Sequence, residues 1–110
     1  MILFKPEHVP MILDGTKTQT RRLGKKRWNV GAVHQARTKL FGEPFAGLRI
    51  TGVRRQVLCE ITYPEALAEG YQSINEYLDA FCRINGTPRS FDVVNQEVWV
   101  VDFERVQEDS

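Results

Sequence analysis

The sequence of 110 residues predicts an α+β domain built on a small, mostly antiparallel β-barrel with flanking helices. Residues 16–61 contain several short β-prone stretches, and residues 63–85 have helical periodicity. The alternating pattern of residues 97–106 then indicates a returning strand. A chain of this length buries one modest core, so residues 1–110 are predicted to form a single domain.

The first half of the chain is predicted to form strands around one short helix. Pro6 suits the first turn of a helix, and Gly15 suits the left-handed position at which a helix ends. The predicted elements are a strand at Ile2–Lys5, a helix at Pro6–Leu13, and strands at Thr16–Leu23, Val30–Thr38 and Leu48–Leu58, the last bulged at Gly52 and continued through residues 59–61.

The second half is predicted to form helices before a final strand returns to the sheet. The predicted elements are helices at Tyr63–Gly70 and from Ser73 to Asn85, a short strand or turn at residues 93–94, and a strand at Glu97–Val106. Ser73 and Glu76 have the spacing of a capping box, which starts the longer helix. Apolar residues alternate in the last strand, so Val98 and Val100 are expected on one face and Val101 on the other.

Charge is divided unevenly along the chain, although the formal net charge is only +1. Residues 15–58 contain eleven Lys and Arg and one acid, whereas residues 59–110 contain three Lys and Arg and eleven acids. A basic patch formed by the first half would attract a polyanion such as RNA. The alternative is that the two halves neutralise each other in the folded protein.

Cysteine and histidine spacing gives no indication of a metal site or a disulfide. Cys59 and Cys82 form no CxxC pair, and His8 and His34 lack zinc-ligand spacing. Both cysteines are expected to be buried. No apolar run reaches the roughly 18 residues needed to span a bilayer, and the N-terminus lacks a signal-peptide pattern. We expect a cytoplasmic monomer with reduced thiols, no cofactor, no metal and no membrane association.

The densest chemistry lies in residues 14–22, which are DGTKTQTRR. This segment joins a turn signal to an amine, three hydroxyls and two guanidinium groups, which can bind anions and transfer protons. The loop Gly24–Asn29 adds Lys25, Lys26 and Arg27. The plainer interpretation is that these cations are solvated surface charges and that Thr20 is an ordinary strand residue.

Several segments together resemble the ASCH-domain family. Residues 12–22 resemble its first motif, a glycine followed by a lysine and then by hydroxyl and arginine residues. Residues 30–33 resemble its second strand, residues 69–77 its helical segment, and residues 98–103 its closing strand. The resemblance spans nearly the whole chain in the order of the family. It implies the PUA-like fold, a β-barrel with helices packed at its side.

The resemblance also implies a role connected with RNA, since PUA relatives bind RNA and often its modified bases. Some family members are amidohydrolases that deacetylate N4-acetylcytidine without a metal, and others have been proposed as ribonucleases. The amidohydrolase pattern places a catalytic lysine, threonine and glutamate at Lys17, Thr20 and Glu69. The residues expected to contact RNA or a modified nucleoside are Arg21, Arg22, Lys25, Lys26, Arg27, Arg37, Arg54 and Tyr71.

Chemistry assigns a role to each group of this site. Thr20 is expected to act as nucleophile and Lys17 as its base, with the Lys17 pKa depressed by burial and nearby cations. Glu69 would either protonate the leaving amine or orient Lys17, and Arg22 would hold the substrate carbonyl oxygen. Residues three apart on a strand face opposite ways, so Lys17 must lie in the turn after Gly15 or on a bulge.

The chain departs from the short amidohydrolases in the longer loop Gly24–Asn29, in the second arginine Arg21, and in residues 37–44. These features are closer to ASCH proteins of phages and prophages. The leading hypothesis is hydrolysis of an N-acylated cytidine. The first alternative is a non-catalytic module that binds RNA through Lys25–Arg27 and the strand Arg49–Arg55. The second is a ribonuclease with Lys17 and Glu69 as acid and base.

Overall fold

Five strands form the central sheet, seen in a computed structural model that describes residues 1–106. They are β1 (Ile2–Leu3), β2 (Gln19–Arg22), β3 (Val33–Arg37), β4 (Ala46–Val57) and β5 (Glu97–Val106). Their order across the sheet is β1-β3-β4-β5-β2. The pair β1 and β3 is parallel and the other three pairs are antiparallel. The predicted α+β class and mostly antiparallel sheet are confirmed, and the barrel is an open half-barrel with β1 and β2 at its edges.

Four helices and two 3₁₀ turns connect these strands. The helices are α1 (Val9–Leu13), α2 (Tyr63–Ala68), α3 (Ile74–Asn85) and α4 (Phe91–Val94), and the 3₁₀ turns are Pro6–His8 and Leu58–Glu60. None of the helices in residues 1–106 is long and apolar enough to cross a bilayer. The helix predicted at Pro6–Leu13 is divided in two, because Pro10 has no N–H to donate to the Pro6 carbonyl.

Two other element predictions were wrong. The continuation of β4 through residues 59–61 is instead a 3₁₀ turn, which redirects the chain into α2. Residues 93–94 belong to helix α4, whose N-cap Ser90 accepts a hydrogen bond from the Val93 backbone. Strands β2 and β3 each begin three residues later than predicted. The bulge predicted at Gly52 lies directly before it, because the pairing of β4 with β5 shifts between Ile50 and Gly52.

The two faces of the sheet carry separate clusters of buried side chains, and β5 contributes to both. Val98 and Val100 pack with residues of α2 and α3, whereas Val101 packs on the opposite face with residues of β1, β3 and β4. The alternation of β5 is thus as predicted. Cys82 is buried in the helical cluster, as expected, but Cys59 is exposed because the 3₁₀ turn carries it to the surface.

The helix caps set where the chain leaves α2 and enters α3. Thr62 and Glu65 form a reciprocal capping box at the start of α2. The box predicted for α3 is half formed: Ser73 accepts from the Glu76 backbone, but the Glu76 carboxylate accepts from the Gln72 backbone. These caps define the short link, residues 69–72, that borders the cavity described below.

One side chain joins the two edges of the half-barrel. Arg22, at the end of β2, donates a hydrogen bond of 2.7 Å from Nη2 to the Leu3 carbonyl oxygen of β1. The Phe4 backbone is itself hydrogen-bonded to β3. The gap between β1 and β2 is therefore spanned by a guanidinium rather than by backbone pairing.

Candidate functional site

A cavity of about 290 Å³ lies in this gap, between the two edge strands and helix α3. Its aromatic and charged lining residues are Phe4, Tyr71, Tyr77, Phe81, Lys5, Lys17, Arg21, Arg22 and Glu69. Thr20 also lines it, so the structure brings the three predicted catalytic residues to one cavity. The volume is at the small end of ligand sites, which suits a single small molecule or one nucleoside.

Lys17 is buried in the turn between α1 and β2, with 2% of the residue exposed. Its Nζ donates to the backbone oxygens of Gln19 (2.9 Å) and Glu69 (3.0 Å) and to the Glu69 carboxylate Oε1 (2.7 Å). All three ammonium donors are therefore used. The turn follows Gly15, whose φ is +85°, so the side-chain direction of Lys17 is freed from the strand alternation as the sequence required.

Burial is the main influence on the charge of Lys17. Loss of solvent lowers the pKa of the amine, and the nearby guanidinium groups of Arg22 and Arg21 lower it further. The carboxylate of Glu69 opposes this shift. The direction agrees with the sequence prediction. A lowered pKa increases the fraction of Lys17 that is the neutral amine, which can accept a proton.

Glu69 is held in place by the backbone and by two cations. It is the C-cap of α2, and the next residue, Gly70, has φ +98°. The positive φ favours glycine here, and a Cβ at Gly70 would also lie 2.6 Å from Met11 Sδ, which would have to move. The Glu69 oxygens accept from Lys17 Nζ at 2.7 Å and from Arg21 Nη1 at 2.8 Å. This arrangement favours the orienting role over proton donation, because both carboxylate oxygens are bound by cations.

Arg21 differs from its predicted role in ligand binding. Its side chain is fully buried, and its donors are directed to internal acceptors: the carboxylates of Glu69 (2.8 Å) and Glu65 (2.7 Å) and the side-chain amides of Gln19 (2.6 Å) and Gln56 (3.0 Å). These partners give Arg21 a structural role in place of the contact with RNA or a modified nucleoside that was expected from the sequence. Arg21 instead fixes the second oxygen of Glu69.

Thr20 and Arg22 lie on the same side of β2, as their spacing predicted. The Thr20 hydroxyl is buried and accepts a hydrogen bond of 3.1 Å from Arg22 Nε. The Arg22 guanidinium stacks over the Phe4 ring, 5.0 Å from its centroid. Lys17 Nζ and the Thr20 hydroxyl are not hydrogen-bonded to each other. Proton transfer between them therefore requires that a ligand brings them closer or that a water molecule bridges them.

Comparison with known proteins gave structural but no sequence matches. No protein-family model and no curated protein matches the sequence. An ASCH domain from Lactobacillus crispatus superimposes with TM-score 0.69 at 19% identity, over 88% of this chain and 69% of that one. A mutant ASCH protein from Zymomonas mobilis gives TM-score 0.63 at 16% identity, over 94% and 66%. This protein has the fold of an ASCH domain. A hypothetical protein also matches, with TM-score 0.71 at 16% identity over 96% of each chain.

The ASCH fold was predicted from the sequence, but a histidine in its cavity was not recognised as part of the site. His8 Nε2 lies 2.8 Å from the hydroxyl of Tyr71, a residue predicted to contact the ligand. Burial lowers the pKa of His8 to about 4 and raises the pKa of Tyr71 to about 12, so both are neutral near pH 7. No sequence signal links residues 63 positions apart in the chain.

The other cations predicted to bind the ligand lie outside the cavity of this ASCH fold. Lys25, Lys26 and Arg27 are exposed in the loop after β2, Arg37 lies on β3, and Arg54 on β4 pairs with Glu65. This basic loop is anchored where Trp99 Nε1 donates to the Gly24 carbonyl oxygen at 3.0 Å. Within residues 1–106 no group of three or more His, Cys, Asp and Glu is placed to hold a metal ion.

Proposed function

We propose that this protein binds an N-acylated cytidine in its cavity and hydrolyses the exocyclic amide, with N4-acetylcytidine as the reference substrate. The observation that carries the proposal is that Lys17, Thr20 and Glu69 line one cavity, with Lys17 buried and 2.7 Å from the Glu69 carboxylate. The same three residues match the amidohydrolase pattern that the sequence resembles. The ring of Tyr71, which lines the cavity and is only partly buried, offers a surface on which a pyrimidine can stack.

The proposed reaction proceeds through an acyl-threonine. The Thr20 oxygen attacks the amide carbon, and the neutral amine of Lys17 takes the hydroxyl proton. The C–N bond breaks as Lys17 returns this proton to the leaving nitrogen, which yields cytidine. Water then adds to the acyl-threonine, releasing acetate and regenerating the hydroxyl. A donor of Arg22 is suited to stabilise the oxyanion in both steps, since this guanidinium already lies beside Thr20.

The reaction is tested by incubating the purified protein with N4-acetylcytidine and separating cytidine from substrate by chromatography. Thr20→Ala is expected to reduce turnover by roughly a thousandfold, because no other hydroxyl is expected to replace the nucleophile. Thr16→Ala is the matched control, since Thr16 is an exposed threonine of the same segment. Turnover that survives Thr20→Ala would overturn the nucleophile assignment, and no turnover by the unmodified protein would overturn the proposal.

A non-catalytic RNA-binding module is the second candidate. The observation that favours it is the exposed run Lys25, Lys26 and Arg27, which has no carboxylate within 4.0 Å in the described part of the chain. It predicts no turnover, and an RNA affinity that falls steeply as salt is raised. Shortened RNA in the same binding mixture, lost with Lys17→Ala, would instead favour the ribonuclease.

A further inference from the structure

Positive charge in the cavity exceeds negative charge. Four cations, Lys5, Lys17, Arg21 and Arg22, line the cavity together with one carboxylate, Glu69. Lys17 and Arg21 share that carboxylate, at 2.7 and 2.8 Å. Neither Lys5 nor Arg22 has a carboxylate within 4.0 Å in residues 1–106. Two cations of the cavity therefore have no anionic partner within the described protein.

Arg22 is fixed in position and still has donors to offer. A guanidinium has five N–H donors. One donates to the Thr20 hydroxyl and one to the Leu3 carbonyl oxygen, and the Phe4 ring supports the guanidinium plane. The remaining donors have no hydrogen-bond partner among residues 1–106. Since the side chain is already held at three points, it is preorganised to receive an oxygen ligand.

Lys5 lines the same cavity as Arg22. It follows β1 directly, two residues after the Leu3 carbonyl that Arg22 binds, and its side chain is exposed while lining the cavity. Two residues of extended chain span at most about 7 Å, so the flexible Lys5 amine can approach the guanidinium from the solvent side. Two cations at one cavity are a binding arrangement for a dianion or a phosphodiester.

We infer that the ligand of this cavity carries a phosphate, bound by Lys5 and Arg22, so that the substrate class is a nucleotide rather than a free nucleoside. This inference rests on the proposed function, in which the base occupies the aromatic part of the cavity. A nucleoside would leave Lys5 without an anion and would engage Arg22 only through its acyl oxygen, although other donors of this guanidinium are open. The phosphate can be the 5′-group of a mononucleotide or a link in an RNA chain, and the chemistry recognised is the same.

The test compares binding of cytidine, cytidine 5′-monophosphate and a short cytidine-containing RNA by isothermal titration calorimetry at low salt. The mononucleotide or the RNA is expected to bind about tenfold or more tightly than cytidine, since one charge-assisted contact is worth that much. Lys5→Gln is expected to remove most of this preference. Arg49→Gln is the matched control, because it makes the same change in net charge at an exposed residue of β4 outside the cavity.

The relative affinities of the three ligands, and their change in the two variants, distinguish the outcomes. If the mononucleotide binds more tightly than cytidine and Lys5→Gln abolishes this difference, the ligand carries a terminal phosphate. If only the RNA binds more tightly and Lys5→Gln abolishes that difference, the phosphate is a link in an RNA chain. Equal affinity for all three ligands, or a preference that Lys5→Gln and Arg49→Gln reduce alike, overturns the inference. Turnover of N4-acetylcytidine, measured separately, decides the proposed function: turnover without phosphate preference refutes the inference alone, and phosphate preference without turnover refutes the hydrolase alone.

Discussion

The burial of His8 against Tyr71 makes the stability of this protein depend on pH. The folded protein keeps His8 neutral because the pKa falls from 6.5 to about 4, whereas the unfolded chain binds a proton below about pH 6.5. Between these values the unfolded state holds more protons. The free energy of unfolding must therefore decrease as the pH falls from 6.5 toward 4.

The size of the effect follows from the depression of this pKa. A fall from 6.5 to about 4 corresponds to about 3 kcal/mol, since one pH unit is worth about 1.4 kcal/mol. His8 lines a cavity that is open to solvent, which screens the ring in part, so we expect about 2 kcal/mol. This loss is a large fraction of the roughly 5–15 kcal/mol by which most domains are stable.

The assay is urea denaturation followed by tryptophan fluorescence at several pH values between 4.5 and 7. His8→Gln should remove most of the pH dependence in this window, while losing stability at pH 7 through the altered packing against Tyr71. His34→Gln is the control, since the His34 ring is more exposed and its substitution should leave most of the pH dependence. Parallel pH curves for the unmodified protein and His8→Gln, or a His8 that titrates near 6.5 in the folded state by NMR, would refute the reasoning.

Three further predictions concern the walls of the cavity. Gly70→Ala should cost about 2–4 kcal/mol in urea denaturation, from positive φ and the Met11 contact, and Met11→Ala should recover part of that loss. Arg21→Gln should cost about 3–5 kcal/mol by the same measurement, because it leaves the Glu69 carboxylate with one cation fewer; a loss below 1 kcal/mol would contradict this. If Lys17 is the base, turnover should rise with pH as its amine loses a proton, and Lys17→Arg should abolish turnover at all pH values, which a pH–rate profile checks.

The fold could be predicted largely because its strongest local patterns coincide with its long-range packing. The alternation of Val98, Val100 and Val101 on β5 divides the two cores as expected. The predictions failed where the local propensity of the sequence conflicted with the path of the chain in the folded protein. Cys59 continues an apolar run, yet the chain must turn there to enter α2, so this cysteine is exposed.

The site was predictable only in part, since its partners lie far apart in the sequence. Family resemblance, not residue spacing, singled out Glu69 as a companion of Lys17. Arg21 appears in the sequence as one more cation of a basic segment, and its acceptor on Glu69 lies 48 residues away. Local pattern cannot distinguish a phosphate-binding arginine from one that is buried on a carboxylate, because the difference is made by tertiary burial.

The ion pairs of Arg21 link the buried charges of the cavity to the protein surface. Arg21 joins Glu69 to Glu65, and Glu65 in turn pairs with Arg54, whose side chain is 47% exposed. A continuous series of ion pairs therefore connects Lys17 in the cavity to Arg54 at the protein surface. Salt that screens the exposed Arg54 guanidinium is therefore expected to weaken the ion pairs that hold Lys17, although the Lys17 side chain is only 1% exposed.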